Sequence, residues 1–387
     1  MRTWVYLDHN ATTAPAPEAA QEMLDSLQKV WANPSSMHEP GQAARRALAD
    51  ARTRISAFLG CQGAELVFTS GATEANHMAV LGALELARGT GRRRLVLSAV
   101  EHPGLLALAQ RLAAGGVAVD LIPVDSQGRL DMAAARSLVG DDVALLSVMG
   151  ANNETGACMP IAELAALAQG HGCPLHVDAT QLAGKQPLDF ARCGAGLMSL
   201  SAHKLGGPKG VGALLVKKGL ALPALISGRQ ERQRRGGTEN LPGIVGFAAA
   251  CARTASTLAE DLHRQRELRD ALQAGLCEAL PQVHVYADAA ERLPNTLCLR
   301  FGEIDAEQVL GRLERAGVIA SSGAACSAGG TQPSHVLLAL GATQRQAKAG
   351  IRFSLGPTTT AAEVQRTVDA ARRVLLPLLQ DEQALAV

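Results

Sequence analysis

In Ser201-Ala-His-Lys-Leu-Gly-Gly-Pro-Lys-Gly210 a histidine and a lysine stand side by side ahead of glycines and a proline. Gly206, Gly207, Pro208 and Gly210 forbid a regular helix, so Lys204 is not one charge among many on a solvated helical face. Such a loop turns the chain tightly or holds something close to the backbone. Upstream, the apolar run Leu175-His-Val-Asp178 ends on an acid and continues into Ala-Thr-Gln181. A buried unpaired carboxylate is costly, so Asp178 needs a cationic or proton-donating partner, either an arginine or the protonated nitrogen of a bound pyridine ring. Thr69-Ser-Gly-Ala-Thr-Glu-Ala-Asn76 is a small-residue turn entering a helix, where free N–H groups would suit a phosphate. Thr73 would serve equally well there as a simple N-cap. Cys326 alone of the eight cysteines lies in a run of glycine, alanine and serine, Gly323 to Gly330, which predicts an exposed, mobile loop.

These groups need a frame, and the hydrophobic pattern supplies one. A helix is predicted from Pro40 to Leu59, a strand over 65–69 and a helix from Thr73 to about Ala87. Strand-like runs follow at 95–98, 117–124, 143–148, 175–178, 197–200 and 213–216. Such alternation argues for an α/β layer with a largely parallel sheet, whose ligands bind beyond the carboxyl ends of the strands. A long helical pattern from Ile244 to Leu280 breaks the alternation. After it come an apolar run over 295–301 and helices at 306–316 and 361–379, which read as a smaller α+β unit.

Composition narrows the function. The 387 residues carry a net charge of +1, 47% hydrophobic and only 3% aromatic content, which gives neither a basic field nor aromatic platforms for nucleic acid. The first residues show neither a secretory signal nor a membrane span, so the expected location is the cytoplasm. No two cysteines make a CxxC-type pair, and no metal site is expected.

A lysine, an aspartate at a strand end and a helix start able to cradle phosphate are together the parts that hold pyridoxal 5'-phosphate. The chain also carries Tyr6-Leu-Asp-His-Asn-Ala-Thr-Thr13, Asn33-Pro-Ser-Ser36, Glu101-His102, Asn152-Asn-Glu-Thr-Gly156, Gly237-Thr-Glu-Asn240, Ser321-Ser-Gly-Ala-Ala-Cys326 and Arg352-Phe-Ser-Leu-Gly356. With these motifs, in this order, it resembles the pyridoxal-phosphate-dependent cysteine desulfurases of the NifS/IscS type, within the class V aminotransferase superfamily. The resemblance runs over essentially the whole chain.

It implies fold type I, with a large domain over 15–255 built on a mostly parallel seven-stranded sheet. Residues 1–14 and 256–387 would form the small domain carrying the reactive cysteine loop. Lys204 would bind the cofactor covalently and move protons on the substrate, Asp178 would pair with the pyridine nitrogen, His102 would stack on the ring, and Gln181 would hydrogen-bond its phenolic oxygen. Ala72, Thr73, Ser201 and His203 would hold the phosphate, with Thr238 reaching across from the other subunit of a homodimer. Arg352, helped by Asn153, would grip the carboxylate of L-cysteine. Cys326 would take the sulfur as a persulfide and pass it to an acceptor protein, with His102 and His335 as candidates for activating its thiol; His335 more simply caps or packs the following helix. Two departures from the family pattern, His9 and Ala324, remove no group with a direct chemical role. The residues after Leu379, Gln-Asp-Glu-Gln-Ala-Leu-Ala-Val, do not resemble the extended tail with which some members dock an iron–sulfur scaffold, so a scaffold partner is not the expectation here. Neighbouring readings are another class V aminotransferase, which would not need Cys326, and a selenocysteine lyase.

Overall fold

The computed structural model describes residues 4–323 and 332–385, without the side chains of 382–385. Cys326 and Ala324 lie outside the described residues. The chain enters through β1 (Val5–Tyr6), α1 (Pro17–Lys29) and α2 (Glu39–Leu59). The strands β2 (Leu66–Thr69), β3 (Arg94–Ser98), β4 (Ala118–Ile122), β5 (Val143–Met149), β6 (Leu175–Asp178), β7 (Leu197–Ser201) and β8 (Gly212–Val216) then form one sheet, in the order β2-β8-β7-β6-β5-β3-β4. Strands β3 to β7 pair in parallel, and β8 runs antiparallel to both of its neighbours. The seven-stranded, mostly parallel sheet expected from the sequence is present. Between its strands run α3 (Ala72–Leu86), α4 (Pro103–Ala114), α5 (Met132–Leu138), α6 (Ile161–Gly170) and α7 (Phe190–Cys193).

Helices cover both faces of this sheet, so its strands read as unbroken apolar runs, and all seven residues of β5 are buried. Neighbouring residues on a strand supply opposite faces: Leu145, Val67 and Leu197 belong to one hydrophobic cluster, and Leu146, Phe68 and Met198 to the other.

A 39-residue helix, α8 (Leu241–Ala279), leaves the sheet. It starts three residues ahead of the expected Ile244, because Asn240 caps Gly243 N–H and Pro242 occupies the first turn. Its early residues Ile244, Phe247 and Cys251 join the sheet's core, whereas Leu268, Leu272 and Leu276 join a separate cluster. That cluster is built with β9 (Val283–Val285), β10 (Thr296–Phe301), α9 (Ala306–Arg315), β11 (Val318–Ile319), β13 (Ile351–Ser354) and α12 (Ala361–Leu385), while β12 (Ser321–Ser322) edges its sheet and α10 (His335–Ala339) and α11 (Gln344–Lys348) pack Val336, Leu337 and Ala347 into the large sheet's core. An antiparallel sheet of order β12-β13-β10-β9 lies at its centre. β1 pairs in parallel with β11, and Val5 and Leu7 are buried in the same cluster. The final helix runs past the expected Leu379 to Leu385 and contains Pro377. Among the described residues no helix is long and apolar enough to cross a membrane.

Candidate active site

The carboxyl ends of β5, β6 and β7 and the start of α3 surround a cavity of about 390 Å³, a size suited to a small molecule. Of the residues singled out in the sequence, Ala72, Thr73, His102, Asn153, Asp178, Gln181, Ser201, His203, Lys204 and Arg352 line it. Thr238 does not; it is exposed on the segment ahead of α8.

Lys204 follows β7 directly. Ser201 ends the strand, Ala202–Lys204 make a single tight turn, and Gly206 takes a left-handed φ of 85°. A Cβ on Gly207 would lie 2.8 Å from Ala202 Cβ and 2.9 Å from its carbonyl oxygen, so only glycine lets the chain double back here. The Lys204 ammonium is directed at the N-terminal segment, where Nζ donates to the carbonyls of Asn10 at 2.7 Å and Ala11 at 2.8 Å.

Asp178 ends β6 and is 6% exposed. Its partners are Asn76 Nδ2, which donates to Oδ2 at 2.7 Å, and the Thr180 N–H, which donates to Oδ1 at 3.0 Å. The arginine considered as a partner is not there: among the described residues the Asp178 carboxylate forms no ion pair. Two residues earlier on the strand, His176 is fully buried between Ser147 Oγ and Ser199 Oγ, each 2.8 Å away, and burial lowers its pKa to about 4.

At the other end of the cavity α3 begins at Ala72, with Gly71 at the N-cap and no side chain capping it. The capping role considered for Thr73 therefore does not arise, because Thr73 already lies inside the helix. Its first N–H groups are left for a ligand. Gly212 on β8 brings this turn onto the sheet: a Cβ there would stand 2.4 Å from Leu200 O and 2.7 Å from Gly71 Cα. Ser201 and His203 line the same end; the His203 Nδ1 is 3.1 Å from Thr12 Oγ1. Burial, then Lys204 and Lys209, lower the His203 pKa to about 4, so its imidazole is neutral at pH 7.

His102 caps α4, its Nδ1 accepting from Gly104 N–H at 3.1 Å. That assignment leaves Nε2 to carry the ring proton. Burial lowers the His102 pKa, against the pull of Asp178. His335 does not cap α10; Ser334 does, and His335 Nε2 lies 3.0 Å from the Glu101 carbonyl, fastening the helix to the sheet. Arg352, on β13, is 2% exposed. Its Nη2 donates to Asp8 Oδ1 at 2.6 Å and its Nη1 to the Asn153 carbonyl at 3.0 Å, while Nε is buried without an acceptor. Arg352 is among the residues that line the cavity.

Sequence reasoning quoted Asn10 within a motif and gave it no part, yet it joins the two units. Its Nδ2 donates to Thr296 Oγ1 at 2.9 Å and to the Asn153 carbonyl at 3.2 Å, its Oδ1 accepts from Asn295 Nδ2 at 3.0 Å, and its N–H meets Ser354 Oγ at 2.9 Å. Asn76, Asp8 and Lys185 were missed as well. Asn76 was within reach, since it lies on the helix entered by the small-residue turn; Asp8 and Lys185 act across the fold and leave no local signal.

The residues present fit pyridoxal phosphate: a helix start without a cap faces the same cavity as an amine, a carboxylate at a strand end and an incompletely paired guanidinium. The family profile Aminotransferase class-V matches residues 5–367. The chain thus belongs to the class-V aminotransferases, a family whose chemistry depends on pyridoxal phosphate. A cysteine desulfurase of Cereibacter sphaeroides is 45% identical over 99% of this chain and 97% of its own length. A solved NifS-like protein superposes with a TM-score of 0.90 at 32% identity, over 96% of this chain and 99% of that one. The structure of SspA in complex with cysteine gives a TM-score of 0.80 at 29% identity, over 92% and 99%.

Proposed function

We propose that this protein is a cysteine desulfurase, which converts L-cysteine to L-alanine and transfers the sulfur to Cys326 for delivery to an acceptor protein. The observation that carries this reading is the convergence of Lys204, Asp178, the α3 N-terminus and Arg352 on one cavity. Relatives of the same length carry that activity in their names.

Bound in the cavity, pyridoxal phosphate supplies an electron sink beside the substrate's α-carbon. The N–H groups of Ala72 and Thr73, with Ser201 and His203, would hold its phosphate, the neutral His203 as a hydrogen-bonding group rather than as a cation. Asp178, kept in place by Asn76 and Thr180, would keep a proton on the pyridine nitrogen. His102 would cover the ring and Gln181 would bond its phenolic oxygen. Lys204 Nζ would hold the cofactor and serve as the base and acid that move protons on substrate carbon. Arg352, with Asn153, would receive the substrate carboxylate as a charge-assisted hydrogen-bond partner.

Cys326 then takes the sulfur. Its thiolate attacks the substrate sulfur and an S–S bond forms; the carbon–sulfur bond breaks, its electron pair goes to carbon, and carbon takes up a proton. The products are alanine and a persulfide on Cys326, with no external oxidant or reductant. In each of the seven described cysteines burial raises the thiol pKa, to about 11 at Cys61 and about 12 at Cys158. None of them is predisposed to be thiolate, although Cys277 is exposed. The working unit is a cytoplasmic homodimer, in which the exposed Thr238 of each chain reaches the phosphate held by the other.

The test is to incubate the protein with L-cysteine and a thiol reductant and measure alanine and sulfide together, with Cys326→Ala alongside. Equal amounts of both from the wild type, and neither from the variant, are expected. Amino-group exchange with a keto acid and no sulfide would make the protein an aminotransferase instead.

A further inference from the structure

Beneath Lys204 lies a second lysine for which the reaction has no use. Lys185 is 6% exposed and stands one turn after Gln181 on the segment that follows β6. Its Nζ donates to Asn10 Oδ1 at 2.8 Å and to Gln181 Oε1. Burial, then Lys204 and Arg352, push its pKa well below the usual lysine value. The charged or titratable groups that feel it are Lys204, Arg352, His9 and His203.

In both contacts Lys185 Nζ donates to an amide oxygen, and this orients the two amides. The oxygen of Gln181 must face Lys185, so its NH₂ group faces the opposite way, where Nε2 donates to the Asn10 carbonyl at 3.1 Å. That carbonyl also accepts from Lys204 Nζ. The oxygen of Asn10 likewise faces Lys185, which sends its NH₂ group to Thr296 and Asn153. Without Lys185 the Gln181 oxygen loses its donor, and the Asn10 carbonyl alone then holds the amide with its N–H in place.

We propose that Lys185 is a positioning residue: it acts through Gln181, holding that amide with its donor end toward the cavity. This rests on pyridoxal phosphate occupying the cavity, with Gln181 at its phenolic oxygen. A donor there favours the ionised phenolic oxygen, whereas an acceptor disfavours it.

The readout is the pH midpoint at which the visible band of bound pyridoxal phosphate changes, together with the cofactor's dissociation constant. Lys185→Met should raise the midpoint by about one pH unit, a tenfold change in the proton equilibrium. Lys185→Arg, which keeps a donor in place, should restore it. In a Gln181→Ala background the effect of Lys185→Met should disappear, because the two residues form one pathway. A shift that persists in that background would make Lys185 a mere charge near the site and overturn the proposal, as would an unmoved midpoint in Lys185→Met. If the methionine variant does not fold, Gln181→Glu leaves Lys185 in place and presents an acceptor; an unchanged midpoint there also overturns it. A wild type with no visible band on adding pyridoxal phosphate would instead sink the cofactor reading itself.

Discussion

Glu101 shows how the acids around the site differ. It is fully buried, accepts from Ser98 Oγ at 2.6 Å and Met149 N–H at 2.7 Å, and leaves Oε2 without a partner. Burial, opposed by those hydrogen bonds, raises its pKa to about 8, and Glu154, buried against Ser334, rises to about 7. A carboxyl that binds its proton more tightly when folded contributes stability that is complete below pH 4.5 and is lost as pH rises to about 8. His176 works the other way: its lowered pKa makes folding more favourable as pH rises from about 4 to 6.5, and above that it contributes no further change. Melting temperature should therefore fall between pH 7 and 8, after the Glu154 window has closed. Glu101→Gln, neutral at every pH, should flatten that fall. An identical slope in the variant would mean that Glu101 is already ionised in the folded protein.

At the scale of elements, what the sequence disclosed follows from how local each signal is. The strands at 175–178 and 197–201 and the helices around them were readable because their patterns complete themselves within a few residues. The boundary at α3 was misplaced by one residue, since Thr73 looks like a cap until the sheet shows that Gly71 must fill that role. The short strands β1, β11 and β12 carry too few residues for any period, and they exist only because distant partners pair with them. The site divides in the same way. Lys204 and Asp178 announce themselves, whereas Asp8 beside Arg352 is a contact across 344 positions. Close packing of one glycine against another element gives a prediction at this scale. Gly212→Ala puts a methyl against Leu200 O and Gly71 Cα, so the turn ahead of α3 must lift from β8. The cofactor's dissociation constant should rise by at least about tenfold, a loss near 1.4 kcal/mol, while far-ultraviolet dichroism stays as in the wild type. Unchanged cofactor affinity would show that the turn's seat on β8 does not shape the phosphate cradle.

Across the whole molecule, the cores of the large sheet and of the small one share covalent parts. α8 gives Phe247 to the core of the large sheet and Leu272 and Leu276 to the smaller one. The N-terminal segment places Val5 and Leu7 in the smaller core before it delivers Asn10 to Lys204. The site is therefore assembled by both cores: Arg352 comes from the small sheet, and Asp178 and Lys204 from the large one. Loss of the small core should disarm the cavity without any change to a residue lining it. Leu272, fully buried, tests this, because truncation to alanine in such a setting costs about 2–5 kcal/mol. If the cores are coupled as their shared segments require, Leu272→Ala should lower the temperature of one cooperative transition, with the helical signal and the visible band of bound cofactor lost together. Two separated transitions, the cofactor staying bound through the first, would mean that the large sheet keeps its site alone and that Asn10 and Arg352 are dispensable for holding pyridoxal phosphate.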